Sequence, residues 1–320
     1  MPNARDAQET VERALFEIRR VIAGQDRMLE RVLVCLLSGG HLLIEGVPGL
    51  AKTLTIKTTA AVLGGSFKRV QYTPDLDPSD LVGTRIYRPD QGTFETELGP
   101  VFCNFLLADE INRAPAKTQA ALLEVMQEYQ VTLEGETHRL ERPFFVLATQ
   151  NPVETEGTYP LPEAQLDRFL LKLEIGYPSH RDEAAIVVRT THGQRGEQLP
   201  LEAVAECVDA RELLALQDLA SGVRVDDRVI DYAVRIGRAT RGGLGLAAGA
   251  GPRGAIAMVR AARAAALVAG RDFVTPDDVK RCALPALRHR VLLAPDAQLE
   301  GRRVDDLLAE LLATVEAPRL

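Results

Sequence analysis

An apolar strand, a glycine-rich turn and the start of a helix follow one another in His41-Leu42-Leu43-Ile44-Glu45-Gly46-Val47-Pro48-Gly49-Leu50-Ala51-Lys52-Thr53. Backbone N–H groups of such a turn, together with those of the helix N-terminus, can hold phosphate groups. In this pattern the lysine reaches the β- and γ-phosphates of a nucleotide, and the adjacent hydroxyl binds Mg²⁺. A simple turn would not explain a lysine in the first helical turn, where the helix dipole disfavours cations. The stretch therefore predicts a P-loop for Mg²⁺ and a nucleoside triphosphate.

Five short apolar runs, separated by helical stretches, predict a layered α/β domain around this loop. Most of the runs are continuously apolar, which is typical of strands buried on both faces of a parallel sheet. The runs are Leu42–Ile44, Phe67–Gln71, Phe105–Ala108, Phe145–Thr149 and Phe169–Ile175.

The chain changes character after Gly176-Tyr177-Pro178, where we expect a hinge. We predict an α/β nucleotide-binding domain over residues 1–178 and a helical domain over residues 179–320. Two segments interrupt the first domain: residues 72–101 contain a short helix and a candidate hairpin, and residues 130–142 contain a second candidate hairpin. Local signal alone equally allows surface loops at both places. The helical patterns of the second domain are 181–191, 211–220, 226–240, 255–269, 276–284 and 303–314.

Composition narrows the class of protein. The 320 residues carry 38 Lys and Arg against 45 Asp and Glu, a net charge of −7, and aromatic residues make up 5% with no Trp. The net negative charge disfavours mainly electrostatic binding to nucleic acid or to an anionic membrane. The scarcity of aromatic residues disfavours a surface on which bases stack. The cysteines are too far apart for a zinc site or a disulfide framework, and no secretory signal or membrane span is recognisable. We expect a soluble, cytoplasmic protein. The cysteines are Cys35, Cys103, Cys207 and Cys282.

Polar residues follow two of the predicted strands. Asp109 and Glu110 end the run Phe105-Leu106-Leu107-Ala108, and Asn151 follows the next run. P-loop enzymes need one carboxylate near Mg²⁺ and a second group that positions or deprotonates water. Asp109 suits the first role and Glu110 the second, while Asn151 would orient the water. Two acids at a strand end are common, and a polar residue before Pro152 suits a turn equally well. Together with the predicted P-loop, however, the two acids are better explained as parts of a nucleotide site.

Two arginines complete the candidate site. Arg168 directly precedes the fifth run, and Arg253 opens a helical pattern after Pro252, which suits the first helical position. A cation at a helix start costs up to about 1 kcal/mol, which an anionic ligand would offset. For each arginine, a solvated surface position is the alternative interpretation.

Together these motifs resemble the MoxR family of AAA+ ATPases, and the resemblance covers nearly the whole chain. Residues 46–53, 108–114 and 161–169 are highly specific in combination. Ala51, where the general P-loop pattern has glycine, matches the usual form of this family. The motifs are Val21-Ile22-Ala23-Gly24-Gln25, Gly46–Thr53, Ala108-Asp109-Glu110-Ile111-Asn112-Arg113-Ala114, Ala148-Thr149-Gln150-Asn151-Pro152, Leu161-Pro162-Glu163-Ala164-Gln165-Leu166-Asp167-Arg168-Phe169 and Gly251-Pro252-Arg253.

The resemblance implies an AAA+ P-loop fold, with a three-layer parallel sheet of order 5-1-4-3-2 and a smaller all-α lid. It implies that Arg168 is an arginine finger for the neighbouring subunit, that Arg253 is the sensor arginine of the lid, and that Asn151 is the sensor of the sheet. Residues 72–101 resemble the helix-2 insert, and residues 130–142 the hairpin before the first sensor. The residues expected to bind nucleotide are Ile22, Gly24, Gln25, Gly46, Val47, Pro48, Gly49, Leu50, Ala51, Lys52, Thr53 and Leu54.

The function that the resemblance implies is Mg²⁺-dependent ATP hydrolysis by an oligomeric ring, usually a hexamer. The ring would drive chaperone-like remodelling or maturation of protein partners, together with a protein bearing a von Willebrand factor A domain. Glu110, Asn151, Arg168 and Arg253 would be catalytic, and Thr53 and Asp109 would bind the metal. The alternatives are a nucleic-acid-stimulated motor, a chelatase-type ATPase subunit and a scaffold that binds ATP without useful turnover. Arg85, Arg88 and Arg139 on the hairpins keep the first alternative open.

Overall fold

The structure is a computed structural model that describes residues 4–46, 52–90, 92–151, 157–191, 204–242 and 245–319. Its strands are β1 Leu42–Gly46, β2 Phe67–Gln71, β3 Gly83–Arg88, β4 Thr93–Leu98, β5 Phe105–Asp109, β6 Gln130–Leu133, β7 Glu136–Arg139, β8 Phe145–Gln150, β9 Leu171–Ile175, β10 Leu246–Ala248 and β11 Leu292–Leu293. Its helices are α1 Ala4–Val21, α2 Asp26–Leu37, α3 Lys52–Val62, α4 Pro78–Val82, α5 Ala116–Glu128, α6 Glu163–Leu166, α7 His180–Thr191, α8 Ala210–Gly222, α9 Asp227–Ala239, α10 Pro252–Val268, α11 Pro276–Leu287, α12 Pro295–Leu299 and α13 Val304–Thr314.

Five of the strands form one parallel sheet in the order β2-β5-β8-β1-β9. Counted along the chain as five strands, this is the order 5-1-4-3-2 that the family resemblance implied, and that expectation is confirmed. The register places Leu42 of β1 opposite Leu147 of β8 on one side and Leu171 of β9 on the other. All five strands therefore begin at one edge of the sheet and end at the other.

Both faces of the sheet are covered by apolar side chains, which explains why the strands read as continuous apolar runs. In β1, Leu42 and Ile44 belong to one buried cluster, whereas Leu43 between them belongs to a second cluster. In β5, Leu107 faces the first cluster and Leu106 faces the second. Successive side chains of a strand point to opposite faces, so β1 and β5 bury apolar side chains on both faces of the sheet, whereas the edge strand β2 also carries exposed polar residues.

Both interrupting segments contain hairpins. In the first, α4 leads into β3 and β4, which pair so that Arg88 lies opposite Thr93. In the second, β6 and β7 turn through Glu134 and Gly135, whose φ angles of 50° and 88° fit a two-residue turn that follows the strand twist. The two segments are therefore ordered projections of the α/β part of the chain.

The region after residue 178 is mainly helical, as predicted, and α10 lies at its centre. This helix packs against α8, α9 and α11, and also against α1 and α2 from the start of the chain. One apolar cluster includes side chains of α1, α2, the sheet and α10, so the helical region shares its core with the first two helices. The short antiparallel pair β10–β11 also lies in this region, where the sequence predicted helices alone. Three residues and two residues are too few for a recognisable strand pattern.

No helix within the described residues combines the length and the apolar character needed to cross a membrane.

A buried carboxylate organises the start of α11. The Asp278 side chain is 1% exposed and accepts hydrogen bonds from Arg271 at 2.7 and 2.8 Å. It also accepts from Arg281 at 2.6 Å and from the Thr275 backbone N–H at 2.9 Å. Burial alone would raise the pKa of Asp278, but these hydrogen bonds outweigh it and hold the pKa at about 2.

We expect Asp278→Asn to lower the free energy of unfolding by about 3 kcal/mol, because the buried side chain loses its charge and with it the ion pairs to Arg271 and Arg281. Because the pKa of Asp278 in the folded chain lies below its ordinary value of 3.8, the carboxylate stabilises the fold above about pH 4. That contribution is lost as the pH falls through the pKa of about 2. Between pH 4 and pH 2 the variant should therefore lose less of its free energy of unfolding than the wild type does, as measured by denaturant titrations at several pH values. Asp277→Asn, at an exposed position one residue away, is the matched control; an equal effect of both changes would contradict this account.

Candidate nucleotide site

Three neighbouring strands, β5, β8 and β1, end at the carboxyl edge of the sheet, and predicted site residues follow each of them. Lys52 and Thr53 begin α3, the helix after β1. Asp109 is the last residue of β5 and Glu110 follows it. Asn151 follows β8 and is buried. Parallel strands thus bring together residues that lie up to about a hundred positions apart in the sequence, at the edge where open α/β sheets bind their ligands.

The Lys52 ammonium is half-buried at this edge. Its Nζ donates a hydrogen bond of 2.6 Å to the carbonyl of Gly46, at the end of β1. Burial lowers the pKa of Lys52, and three neighbouring carboxylates act in the opposite direction. The ammonium is therefore held where phosphate oxygens could replace the carbonyl as acceptors. The three carboxylates are those of Asp109, Glu110 and Glu45.

Thr149 joins the two acidic residues. Its hydroxyl donates a hydrogen bond of 2.6 Å to Oδ1 of Asp109 and accepts one of 2.8 Å from the backbone N–H of Glu110. A hydroxyl has one hydrogen to donate and lone pairs to accept with, so the same oxygen fixes both neighbours at once. Thr149 is buried, and its position at the end of β8 sets where the two carboxylates stand relative to Asn151.

Two side chains of the edge strand β2 also hold these acids. Arg69 donates to Oδ2 of Asp109 from Nε at 3.1 Å and from Nη2 at 2.7 Å. Its Nη2 also donates to Gln71, whose Nε2 donates to Oε2 of Glu110 at 2.8 Å. Arg113 approaches the same Glu110 oxygen at 3.0 Å. A continuous polar chain therefore connects the two carboxylates from Arg69 to Arg113.

The sequence did not single out Arg69, Gln71 or Thr149. Arg69 and Gln71 are two positions apart and therefore share one face of β2, and that pairing of polar residues was the only signal present. Thr149 lies inside the quoted motif around Asn151, but nothing in the motif indicates which strand end it bonds.

The two carboxylates keep acceptor positions that a metal ion and a water molecule could use. A carboxylate offers about four acceptor positions, and Asp109 uses one on Oδ1 and two on Oδ2. Carboxylate and hydroxyl oxygens are ligands that Mg²⁺ accepts. Glu110 has a left-handed backbone, with φ 58° and ψ 49°, a conformation that costs roughly 1 kcal/mol or more outside glycine. The hydrogen bond to Thr149 offsets part of that cost.

The other residues predicted to bind nucleotide are placed as follows. Ile22 is buried in the core, and Gly24, with φ +70°, lies against Asp182 of α7 so closely that a side chain at Gly24 would collide with it. Gln25 directly precedes α2, and Leu54 packs against the core from α3. Val47–Ala51 lie outside the described residues. The contact of these residues with a nucleotide stays a prediction.

Arg168 and Arg253 lie at the opposite, amino edge of the sheet. Both line a cavity of about 580 Å³ together with His41, which directly precedes β1, and Leu170, which directly precedes β9. A five-residue strand separates the two edges by roughly 15 Å. The structure therefore does not bring either arginine to Lys52 of the same chain.

The amino-edge cavity is strongly basic. Arg168 is exposed, and no carboxylate among the described residues forms an ion pair with it. Arg253 approaches Oδ2 of Asp167 at 3.4 Å. Burial lowers the pKa of His41 to about 4, so this imidazole is neutral near pH 7. Five arginines and one aspartate line the cavity: Arg142, Arg168, Arg253, Arg260, Arg290 and Asp167.

Comparisons with known proteins agree with this architecture. Residues 41–171 match the family described as the ATPase family associated with various cellular activities (AAA), and residues 238–311 match the AAA lid domain. The chain is 50% identical to Chaperone MoxR1 of Mycobacterium tuberculosis, over 97% of this chain and 83% of that protein. The chain belongs to the MoxR family of AAA+ ATPases.

Two further relatives of this MoxR-family ATPase agree with the assignment. Protein MoxR of Methylorubrum extorquens is 32% identical over 98% of this chain and 96% of that protein. The crystal structure of a candidate ATPase from Cytophaga hutchinsonii superimposes with a TM-score of 0.90 at 40% identity, covering 99% of this chain and 97% of that one. The family predicted from the motifs is thus confirmed, and with it an ATPase with an AAA+ fold.

We expect Thr149→Val to lower ATP turnover roughly ten- to a hundredfold, as is typical when a group that orients metal-site carboxylates is removed. The change also leaves the Glu110 N–H without its acceptor, at about 1–2 kcal/mol of stability. ATP binding should change less than turnover, because Lys52 is untouched. Steady-state ATPase assays and nucleotide titrations would separate the two effects.

Thr59→Val is the matched control, because Thr59 is buried in α3 and, among the described residues, its hydroxyl bonds only the Thr55 carbonyl, at 2.8 Å. Wild-type turnover in Thr149→Val would show that the hydroxyl does not position the acids.

Proposed function

We propose that this MoxR-family ATPase hydrolyses ATP at junctions between subunits of a ring, with a hexamer as the expected form. The observation that carries the proposal is the separation of the candidate site into two halves. Lys52, Asp109 and Glu110 lie at the carboxyl edge of the sheet, whereas Arg168 and Arg253 lie at the amino edge. A second subunit whose amino edge meets the first subunit's carboxyl edge would join the halves.

The carboxyl edge would bind the nucleotide. Lys52 would donate to the β- and γ-phosphates, and Thr53 and Asp109 would hold Mg²⁺, which neutralises phosphate charge when bound. Asn151 would orient the attacking water. The Glu110 carboxylate would accept a proton from that water, and its left-handed backbone directs it away from the line of β5. Thr149 and Gln71 would keep this carboxylate in place.

The amino edge of the next subunit would supply the cations. Arg168 would neutralise charge that develops on the transferred phosphoryl group, and Arg253 would bind the same phosphates from the helical lid. An arginine supplied in trans accelerates other P-loop enzymes by about 10³–10⁵-fold. Two observations support this role for Arg168. The residue is exposed, and no carboxylate of the described residues forms an ion pair with it.

The work done by hydrolysis would be chaperone-like remodelling or maturation of protein partners, together with a partner bearing a von Willebrand factor A domain. The relative named Chaperone MoxR1 supports a protein client. The β3–β4 hairpin supports it independently, because Tyr87, Phe94 and Leu98 are exposed on it. Of its two arginines, Arg88 pairs with Glu95 at 2.9 Å, and Arg85 lies over the Phe94 ring and keeps its charge. The neutralisation of Arg88 disfavours the nucleic-acid-stimulated motor.

Subunit mixing tests the shared site. Lys52→Ala removes the phosphate ligand but leaves Arg168, and Arg168→Ala does the reverse, so each variant alone should lose nearly all activity. When the two are mixed, part of the activity should return, because Lys52→Ala subunits complete the intact sites of Arg168→Ala subunits. Wild-type activity per subunit should also fall on dilution to monomers. The readouts are phosphate release and the mass of the assembly.

Arg211→Ala, an exposed arginine of α8, is the control for losing a guanidinium. Two results would each contradict a shared site: no recovery on mixing subunits that still assemble, or a constant rate per subunit down to monomers.

A Glu110→Gln variant tests the output, because it should bind ATP and hydrolyse it very slowly. A protein client should be retained by Glu110→Gln with ATP and should be absent from Lys52→Ala, which lacks the phosphate ligand. Single- or double-stranded DNA should leave wild-type ATPase activity unchanged. Stimulation by DNA that is lost in Arg85→Ala/Arg88→Ala would favour the motor, and retention of a metal-inserting partner would favour the chelatase-type subunit.

A further inference from the structure

Arg290, just beyond the end of α11, is nearly completely buried, with 4% of its side chain exposed. Its Nε donates a hydrogen bond of 2.7 Å to Oδ1 of Asp167. Its Nη2 donates to the carbonyls of Phe169 at 2.6 Å and Asp167 at 3.1 Å. Its Nη1 donates to the carbonyl of Leu170 at 3.1 Å. One guanidinium group therefore holds three of the four residues from Asp167 to Leu170, and the fourth residue is Arg168.

Two neighbouring side chains of the lid contact the same segment. His289 Nε2 donates a hydrogen bond of 3.0 Å to the Phe169 carbonyl. Arg253, from the start of α10, approaches the second Asp167 oxygen at 3.4 Å. On its other side, the Leu170 N–H donates to the His41 carbonyl at 2.9 Å. The segment is thus fixed between the lid and the amino edge of the sheet, and only the Arg168 side chain projects from it.

The geometry points to Arg290 as the positioning residue for Arg168. Lid contacts within one subunit fix the position of the arginine that acts on the nucleotide of the next subunit. This inference rests on the proposed subunit-shared site. A guanidinium suits the task because its planar fork donates in fixed directions, whereas an ammonium is a single point charge. The lid of one subunit would then control hydrolysis in its neighbour rather than in itself.

The test places Arg290→Lys on either side of the junction in the mixing assay. Lys52→Ala subunits donate Arg168, and Arg168→Ala subunits supply the nucleotide site. We expect Arg290→Lys in the donor to lower the recovered activity roughly ten- to a hundredfold, since displacement of about 1 Å can have that effect. The same change in the acceptor should leave the recovered activity within about twofold of the unmodified mixture, because the acceptor's own Arg168 is already absent.

Arg271→Lys is the matched control. Arg271 is also a lid arginine held by several hydrogen bonds, but it donates to Asp278 at 2.7 and 2.8 Å and not to the segment that carries Arg168. It should behave alike in donor and acceptor. A general loss of folding or assembly in Arg290→Lys would lower activity from both sides, and circular dichroism and assembly mass would detect it.

The outcomes separate the two proposals. No recovery with the unmodified donor and acceptor would overturn the shared site itself. If recovery is normal without the change, three results of adding Arg290→Lys would overturn the positioning role and leave the shared site intact. These are an equal loss from both sides, a loss only from the acceptor side, and no loss at all.

Discussion

The parallel alignment of five strands is the constraint on which the rest of the molecule depends. It sends every strand end to one edge and every strand start to the other, so Lys52, Asp109 and Asn151 lie at the same edge although they are distant in sequence. The same alignment keeps Arg168 about one strand length away from them. A monomer with this topology has the proposed phosphate ligands and the exposed arginine at opposite edges of the sheet, which is the geometry that a repeating assembly can use.

Features with a local signal could be predicted from the sequence. The lysine at the start of α3, the acidic pair after β5 and the helices of the second region each depend on residues within about one or two turns of one another. The bounds agree closely in places: α7 spans His180–Thr191 where the helical pattern 181–191 was predicted, and α10 begins at Pro252 as its first helical residue. The strand order is different, because continuous apolar runs carry no information on which strands are neighbours. It came from the family resemblance.

Features that depend on contacts between distant segments could not be predicted. Thr149 bonds residues that lie about forty positions earlier, and Arg290 bonds a segment that lies more than a hundred positions earlier. Each looks locally like an ordinary polar residue at the end of an element. The location of Arg253 is a similar case: its helix start was foreseen, but its place beside Arg168 follows from how α10 packs on α1 and α2.

The basic cavity has a consequence for how subunits would hold together. Five arginines and one aspartate are crowded there, so closing two subunits over it without a counter-ion brings like charges into a poorly solvated gap. In the proposed ring, the negative charge of ATP would hold two neighbouring subunits together across their interface. Loss of the γ-phosphate removes part of that negative charge, so the interface would weaken after each turnover. Hydrolysis would then allow neighbouring subunits to move relative to one another.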